Sequence, residues 1–375
     1  MPRVVTNVGT RPEIIKLSRV IPALDQHAEH VLIHTGQNYD YELNQVFFDQ
    51  LRVRKPDYFL EAAGRSATET IANVLLKIDP LLEKLAPDAV LILGDTNSSL
   101  AAIAAKKRKI PIFHMEAGNR SFDERVPEEV NRRIVDHVSD INLVYTEHAR
   151  RYLLAEGIPP DRVIKTGSPM REVLEYYKEG IAESSILQSM GLSPQKYFVV
   201  SAHREENVDD PKNLQALVES LRLICATYNL PVIFSVHPRT HKRLEAAKAL
   251  SLPPLVISSK PLGFFDYVNL QKSAFCVISD SGTITEEASI LEFPAVTIRN
   301  AHERPEGMDV GTLIMSGLVP TDVLAAVRTV AHQQFDEGVR TPAPADYSAQ
   351  VVSAQVVRII LGYIGFVKRV VWRQS

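Results

Sequence analysis

The sequence predicts an α/β protein made of two doubly wound domains, and three observations support this fold class. The chain has 375 residues, more than a single hydrophobic core usually organises. Short runs rich in β-branched residues alternate with longer amphipathic stretches, as they do in βαβ units around a parallel sheet. This alternation occurs in the first half of the chain and again in the second. We therefore expect two parallel sheets with helices on both faces.

The predicted strands are short apolar runs bounded by polar or turn-forming residues. They span 4–8, 30–34, 89–93, 110–115 and 141–145 in the first half, and 197–202, 232–236, 255–258, 275–279 and 295–298 in the second. In open α/β sheets, ligands bind beyond the carboxyl ends of the strands. Residues that directly follow a strand are therefore the first candidates for chemistry.

Apolar positions with helical spacing predict the helices between these strands. The clearest examples span 13–24, 67–85, 98–105 and, after the last strand, 351–372.

A domain boundary is expected at the segment Gly167-Ser168-Pro169, because Gly and Pro interrupt the pattern between the two halves there. The expected domains are residues 1–167 and 168–355. A terminal helix over 356–375 is expected to pack back on the first domain.

Charge and cysteine content exclude several classes of protein. The 42 Lys and Arg residues are balanced by 45 Asp and Glu residues, and the net charge of -3 offers no broad basic field to nucleic acid or anionic lipid. Cys225 and Cys276 lack a neighbouring Cys or His at metal-ligand spacing, so we expect buried thiols in a reducing compartment. No signal peptide is recognised, and no apolar run approaches the roughly 18 residues that span a bilayer. We expect a cytoplasmic protein with no membrane partner.

The first motif, Gly9-Thr10-Arg11-Pro12-Glu13, joins the first strand to the first helix. Amide groups at a helix N-terminus together with the Arg11 guanidinium form a suitable anion site. The same residues also fit an ordinary helix start, with Thr10 as cap and Arg11 in solvent. The spacing alone leaves both interpretations open. The motif is neither a dinucleotide fingerprint nor a Walker loop, so the sequence does not support a nicotinamide cofactor or ATP.

Three carboxylates of the first half are candidates for acid and base chemistry. Asp95 follows the strand over 89–93, Glu116 ends the next strand, and Glu128 opens a helix after a polar loop. Mutual repulsion separates the pKa values of clustered carboxylates, which suits one acid and one base. The structural alternatives are that Asp95 caps the following helix and that Glu128 pairs with Arg132 four residues later.

Basic residues follow two successive strands of the second half. His203 and Arg204 follow the strand over 197–202, and His237 follows the next one. A histidine exchanges protons near neutral pH, and an arginine neutralises phosphate. No paired-carboxylate ligand spacing accompanies them, so we expect no metal.

The segment from Asp280 to Ala288 gives the sharpest signal, because it follows a strand and opens a helix. Small residues around Gly282 allow backbone amides to approach phosphate oxygens, and Glu287 is placed to accept ribose hydroxyls. A capping box from Ser281 or Thr283 to a glutamate explains the same residues. We favour nucleotide binding.

Taken together, these segments resemble the non-hydrolysing UDP-N-acetylglucosamine 2-epimerase family. Its two Rossmann-like domains face a cleft in the GT-B arrangement shared with many glycosyltransferases. The matching motifs are GTRPE at Gly9, GQNYD at Gly36, GDTNS at Gly94, HMEAG at His114, PEEVNRR at Pro127, AHREEN at Ala202, DSGTITEEA at Asp280 and ERPEG at Glu303. Two departures are that the usual Asp-Ser-Gly-Gly is Asp-Ser-Gly-Thr here, and that the loop before Pro127 differs from the glucosamine type.

The resemblance implies a role for each matching residue. The catalytic set comprises Asp95, Glu116, Glu128 and His203. The substrate-binding set comprises Arg11, Lys16, Arg132, Arg204, His237 and Arg304, with Ser281, Gly282 and Thr283 offering amides to the diphosphate, Glu287 holding the ribose and Tyr267 near the uracil. Gln37 matches a glutamine of the family's substrate activation site.

The loop over 120–127 and the ending over 356–373 look most like the capsule and O-antigen branch, whose members are UDP-N-acetyl-L-fucosamine synthases. The resemblance implies a homodimeric C2-epimerase without a cofactor. It would convert UDP-2-acetamido-2,6-dideoxy-L-talose by eliminating UDP to a 2-acetamidoglycal and adding it back. The alternatives are epimerisation of UDP-N-acetylglucosamine to UDP-N-acetylmannosamine, a glycosyltransferase of the same fold, and a non-catalytic UDP-sugar sensor.

Overall fold

The computed structural model describes residues 1–37, 41–236, 238–247, 250–301 and 303–374. The chain divides into two compact units. The first combines Met1–Tyr176 with Ala345–Ser375, and the second is Tyr177–Pro344. Each unit contains a parallel sheet covered by helices, which confirms the predicted fold class.

The sheet of the first unit has seven strands in the order β3-β2-β1-β4-β5-β6-β7, all paired in parallel. The strands are β1 Arg3–Val8, β2 Glu29–His34, β3 Tyr58–Phe59, β4 Ala89–Leu93, β5 Ile112–Ala117, β6 Ile141–Val144 and β7 Val163–Lys165. The five predicted strands are confirmed, and β3 and β7 are additional. The strand order reverses between β1 and β4, and such a switch point opens a crevice at the carboxyl ends of the two strands.

The helices before residue 177 connect these strands. They are α1 Arg11–Leu17, α2 Val20–His27, α3 Tyr41–Gln50, α4 Ala67–Leu85, α5 Ala101–Lys107, α6 Pro127–Val138, α7 Glu147–Ala155 and α8 Met170–Tyr176. The single helix predicted over 13–24 is instead two helices. Pro22 explains the break, because in a continuous helix its ring would clash with the carbonyl of Ser18, whereas it is tolerated in the first turn of α2.

The sheet of the second unit has six strands in the order β10-β9-β8-β11-β12-β13, again all parallel. The strands are β8 Phe198–Ser201, β9 Val232–Ser235, β10 Val256–Ser259, β11 Cys276–Ser279, β12 Ala295–Thr297 and β13 Ile314–Met315. The order reverses between β8 and β11. The residues that follow these two strands are those singled out in the sequence, 202–204 and 280–283.

The remaining helices include one that returns to the first unit. In the second unit they are α9 Lys178–Ala182, α10 Ile186–Ser189, α11 Glu205–Val208, α12 Pro211–Tyr228, α13 Pro238–Ala246, α14 Phe264–Lys272, α15 Ile284–Leu291, α16 Glu306–Asp309 and α17 Pro320–Phe335, and the returning helix is α18 Val352–Val370. Helix α18 lies in the first unit and contacts α2. The predicted return of the terminal helix is thus confirmed.

The unit boundaries differ from the predicted ones, at 176 and 344 instead of 167 and 355. Hydrogen bonds explain the difference. Arg171 Nε donates to the carbonyl of Tyr347 at 3.1 Å, and the Ser353 amide donates to Glu172 at 2.8 Å. Helix α8 therefore binds both the segment before α18 and the first turn of α18 within the first unit.

Both cysteines are buried free thiols, as predicted. Burial raises the pKa of Cys276 well above its ordinary value. Across the described residues, none of the helices combines the length and apolarity needed to cross a membrane, and His, Cys, Asp and Glu side chains form no metal-binding group of three or more.

Candidate active site

The loop after β1 meets the segment after β4 at the switch point of the first sheet. A Cβ atom on Gly9 would lie 1.9 Å from Ser98 Oγ and 2.5 Å from Thr35 Oγ1, so only glycine fits there. Gln37 Oε1 accepts hydrogen bonds from the Ser98 amide at 3.0 Å and its hydroxyl at 2.9 Å. The GTRPE and GDTNS motifs and Gln37 are therefore packed together.

Glu13 ties these two segments to each other. Its carboxylate accepts hydrogen bonds from the amides of Gly9 and Thr10 and, at 2.6 Å, from the hydroxyl of Thr96. Burial raises the pKa of Glu13 to about 7, although the hydrogen bonds oppose this shift. Sequence reasoning treated Glu13 only as part of a motif, and no spacing signal indicated that it is buried.

Lys16 and Glu116 form a direct ion pair. Lys16 Nζ lies 2.6 Å from Glu116 Oε1 and 2.7 Å from Oε2. Glu116 has a positive φ of 63° where the pairing of β5 with β6 shifts register, and its carboxylate lies close to Gly94. A distorted strand end of this kind redirects a side chain, and such features are common beside active sites.

Asp95 is held by α6. Its Oδ2 atom accepts from Arg132 Nε at 2.9 Å and lies 2.7 Å from Nη2, a two-point contact. Asn131 Nδ2 donates to the Asp95 carbonyl at 3.0 Å. The capping position before the following 3₁₀ turn is Thr96. Asp95 therefore does not serve as that cap.

Glu128 lies in the first turn of α6 and is partly exposed. The adjacent Glu129 is fully buried and accepts hydrogen bonds from the Ser121 amide at 3.0 Å and hydroxyl at 2.9 Å. Arg132 also contacts Glu129, at 3.2 Å. Glu129 thus anchors the loop before α6, while Glu128 is on the more open side of the same turn.

A buried network supports the strand that carries Glu116. His114 Nε2 donates to the Gly94 carbonyl at 2.8 Å, and His114 Nδ1 lies 2.9 Å from Asp136 Oδ1. Asp136 also accepts from the Gly118 amide at 3.1 Å and from Arg120 Nη1 at 2.7 Å. The motif HMEAG marked His114, but no sequence signal joined it to Asp136.

In the second unit, Asp280 organises the residues that follow β8. It accepts hydrogen bonds from the amides of His203 and Arg204, both at 2.9 Å, and from Asn207 Nδ2 at 3.0 Å, and it lies 3.1 Å from His203 Nδ1. Burial alone would raise the pKa of Asp280, but the His203 charge and these hydrogen bonds lower it to about 2. Asp280 therefore orients His203, a role that the sequence did not reveal.

The turn after β11 is shaped by small hydroxyl side chains. Ser281 Oγ lies 3.0 Å from Thr283 Oγ1 and accepts from the Thr283 amide at 3.3 Å. Thr283 is the capping residue of α15, yet within the described chain its side chain makes no capping hydrogen bond. The capping box considered for this segment is thus absent from the described structure.

Glu287 forms a hydrogen bond with Gln271 and acts electrostatically on Tyr267. Glu287 Oε2 accepts from Gln271 Nε2 at 2.7 Å. Burial is the main cause that raises the pKa of Tyr267, and the negative charge of Glu287 raises it further.

Arg304 is also buried, and its Nη1 atom donates to Glu286 at 3.1 Å. Arg11 lies over the ring of Phe47, with 5.7 Å from Cζ to the ring centroid. His237 and the motif residues 38–40 fall outside the described residues.

Comparison with known proteins identifies the family. The family model described as UDP-N-acetylglucosamine 2-epimerase matches residues 22–361. A UDP-2,3-diacetamido-2,3-dideoxy-D-glucuronate 2-epimerase from Pseudomonas aeruginosa is 35% identical over 333 residues, covering 87% of this chain and 92% of that protein.

Two solved structures are also similar. A UDP-N-acetylglucosamine 2-epimerase from Rickettsia bellii has a TM-score of 0.92 and 53% identity, covering 100% of both chains. The Methanocaldococcus jannaschii UDP-GlcNAc 2-epimerase in complex with UDP-GlcNAc and UDP has a TM-score of 0.89 and 33% identity, covering 96% of this chain and 99% of that one. The chain therefore belongs to the non-hydrolysing UDP-N-acetylglucosamine 2-epimerase family, whose members are isomerases.

Proposed function

We propose that this protein inverts C2 of a UDP-N-acetylamino sugar by eliminating UDP and adding it back. The observation that carries the proposal is the placement of the candidate residues. Arg11 and Asp95 follow β1 and β4, the two strands at the switch point of the first unit. His203 and Ser281 follow β8 and β11, the two strands at the switch point of the second. The similarity to the Methanocaldococcus jannaschii enzyme, solved with UDP-GlcNAc and UDP, supports the ligand class.

The chemistry explains why such a site needs both cations and carboxylates. The C2 proton has no adjacent carbonyl and is scarcely acidic, so direct deprotonation is implausible. When the bond between C1 and the UDP oxygen breaks, positive charge at C1 makes this proton removable. The products of this half-reaction are a 2-acetamidoglycal, free UDP and a protonated base. Protonation of C2 from the opposite face and return of UDP to C1 complete the inversion.

The departing diphosphate requires positive charge, and stabilisation of developing charge is usually the dominant contribution to catalysis. We assign this task to Arg204, the amides of 281–283 and Arg304 in the second unit, and to Arg11 and Lys16 in the first, with Arg132 and His237 as further substrate-binding residues. Glu287 accepts the ribose hydroxyls, and Tyr267 lies near the uracil.

The proton transfers require one base and one acid. We assign them to Asp95, Glu116, Glu128 and His203. The two-point contact with Arg132 fixes the Asp95 carboxylate, and Asp280 fixes the His203 ring. Fixed orientation lowers the cost of reaching a reactive geometry.

For the sugar, we propose UDP-2-acetamido-2,6-dideoxy-L-talose, converted to UDP-N-acetyl-L-fucosamine for capsule or O-antigen precursors. The support is the resemblance of the loop over 120–127 and of the chain ending to that branch. The second candidate is UDP-N-acetylglucosamine, which the names of the similar solved structures favour. The resemblance also supports a homodimer, and the two buried free thiols support a location in the cytoplasm.

The test is incubation with a panel of UDP-N-acetylhexosamines and their 6-deoxy analogues in deuterated water, followed by NMR and mass spectrometry. We expect the C2 epimer of the L-talo sugar with deuterium at C2. Epimer without deuterium would reject elimination with solvent exchange. Net transfer of sugar to an added acceptor would instead indicate a glycosyltransferase, and binding without turnover would indicate a sensor.

A further inference from the structure

Glu303 bridges two arginines in the second unit. Its Oε2 atom lies 3.2 Å from Arg204 Nη2 and accepts a hydrogen bond from Arg299 Nη1. The three side chains are largely enclosed, with exposed fractions of 9% for Glu303, 16% for Arg204 and 6% for Arg299. One carboxylate oxygen therefore contacts two guanidinium groups, and all three side chains are largely shielded from solvent.

The same carboxylate lies against the turn at 281–283. A Cβ atom on Gly282 would be 3.0 Å from Glu303 Oε2 and 3.3 Å from its carboxyl carbon. Because glycine has no such atom, the carboxylate approaches the backbone of this turn closely. The Glu303 carboxylate therefore occupies space beside the turn whose amides we assign to the diphosphate.

Arg299 retains unused capacity for hydrogen bonding. Its Nη2 atom is buried and has no hydrogen-bond partner within the described residues. A guanidinium presents five donors in a fixed fork, which fits the several oxygens of a phosphate better than a single carboxylate oxygen. Arg299 directly precedes the segment that leads to the ERPEG motif, yet sequence reasoning did not select it.

We propose that Arg299 binds the diphosphate together with Arg204, and that Glu303 is the anion which the diphosphate displaces from both guanidinium groups. This inference rests on the proposed function and adds to it a binding residue and a ligand exchange. Glu303 keeps the two enclosed cations paired before the nucleotide arrives and after it leaves. Since like charges repel, the carboxylate must withdraw from the turn as the phosphate enters.

The test is calorimetric titration of UDP and of uridine into the wild-type protein and variants. Glu303→Gln removes the competing charge, so we expect it to bind UDP about tenfold more tightly, as loss of one charge-assisted contact implies. Arg299→Met should bind UDP about tenfold more weakly for the converse reason. Uridine, which lacks phosphate, should bind all variants equally.

Glu219→Gln is the matched control, because Glu219 also pairs with an arginine, Arg222, but on the exposed surface of α12. It should leave UDP affinity unchanged. If Glu303→Gln fails to fold, Glu303→Asp tests the same point, because its shorter side chain bridges two guanidinium groups less well and should also tighten UDP binding.

Equal or weaker UDP binding by the folded Glu303 variants would overturn the inference, as would an equal gain in uridine affinity. These outcomes are distinct from failure of the proposed function. In that case the wild-type protein itself would not bind UDP.

Discussion

Lys16 and Glu116 are 100 residues apart in the sequence, yet Lys16 Nζ contacts both carboxylate oxygens of Glu116, at 2.6 Å and 2.7 Å. The pair joins the last turn of α1 to the end of β5 across the switch point of the first sheet. A cation proposed to bind the leaving group thus contacts a carboxylate proposed for proton transfer. Movement of either side chain during the reaction would therefore change the electrostatic environment of the other.

Replacement of this carboxylate tests its part in proton transfer. We expect Glu116→Gln to lower kcat by about 10² to 10⁴, the usual effect of losing a positioned acid or base, while UDP still binds. Glu29→Gln is the control, since Glu29 pairs with Arg3 on the exposed surface. Steady-state kinetics and UDP titration provide the measurements. Unchanged kcat in Glu116→Gln would remove Glu116 from the catalytic set.

Asp280 makes stability depend on acid pH. Burial opposes its ionised form, but His203 and the hydrogen bonds lower its pKa from 3.8 to about 2. Since the folded-state pKa is depressed, its stabilising contribution is present above pH 4 and is lost as the pH falls toward 2. We expect Asp280→Asn to lose about 2 kcal/mol of stability at pH 7 and about half of that at pH 3.

Urea unfolding of wild type and Asp280→Asn at both pH values checks this expectation. Asp336→Asn, at an exposed carboxylate of the same unit, provides the control. An equal loss at pH 7 and pH 3 would show that the Asp280 charge is not the source of the effect.

Glu13 makes the stability of the protein depend on pH in the opposite direction. Burial raises its pKa from 4.5 to about 7, so the unfolded chain releases this proton at lower pH than the folded protein does. The stabilising contribution of Glu13 is therefore fully present below pH 4.5 and is lost as the pH rises to 7. Glu13→Gln lacks this ionisation and should gain up to about 3 kcal/mol relative to wild type between pH 4.5 and 8. Thermal unfolding of both proteins across this pH range measures the difference in stability. A difference that stays the same at every pH would contradict the expectation.

Asp136 is expected to act as a positioning residue. Asp136→Asn leaves the buried Arg120 with a weaker partner, and breaking a buried ion pair costs about 3 kcal/mol. The double variant Asp136→Asn with Arg120→Met should recover part of this loss. Because Asp136 contacts His114 and the Gly118 amide on either side of Glu116, kcat should fall while KM stays nearly constant. A change in KM alone would assign Asp136 to substrate binding.

The strands that carry the site were predictable because each is an apolar run that ends in distinctive polar residues. This pattern is why the sequence alone indicated Asp95, Glu116, His203 and the turn at 281–283. Strands β3 and β13 have two residues each, too few to show a period. Pro22 indicated the break between α1 and α2, but the apolar spacing on both sides of it favoured a single helix.

The partners of the site residues were not predictable. Spacing along the chain assigns a residue to a strand end, but a pair such as Lys16 and Glu116 depends on how two loops pack. The role of Asp280 was not predictable either, because a carboxylate at a strand end is equally suited to catalysis and to accepting hydrogen bonds from backbone amides. Arg299 lies two residues after β12 and was indistinguishable from a solvated arginine until its burial was known.

The return of α18 to the first unit sets an order for folding during synthesis. Residues 177–344 leave the ribosome together and contain every strand of their own sheet. The first unit begins earlier but lacks a helix that packs on α2 until the last segment has been translated. Since domains generally fold as units as they emerge, the unit encoded second is completed first, and nascent chains stopped before residue 345 would expose the apolar surface that α18 covers.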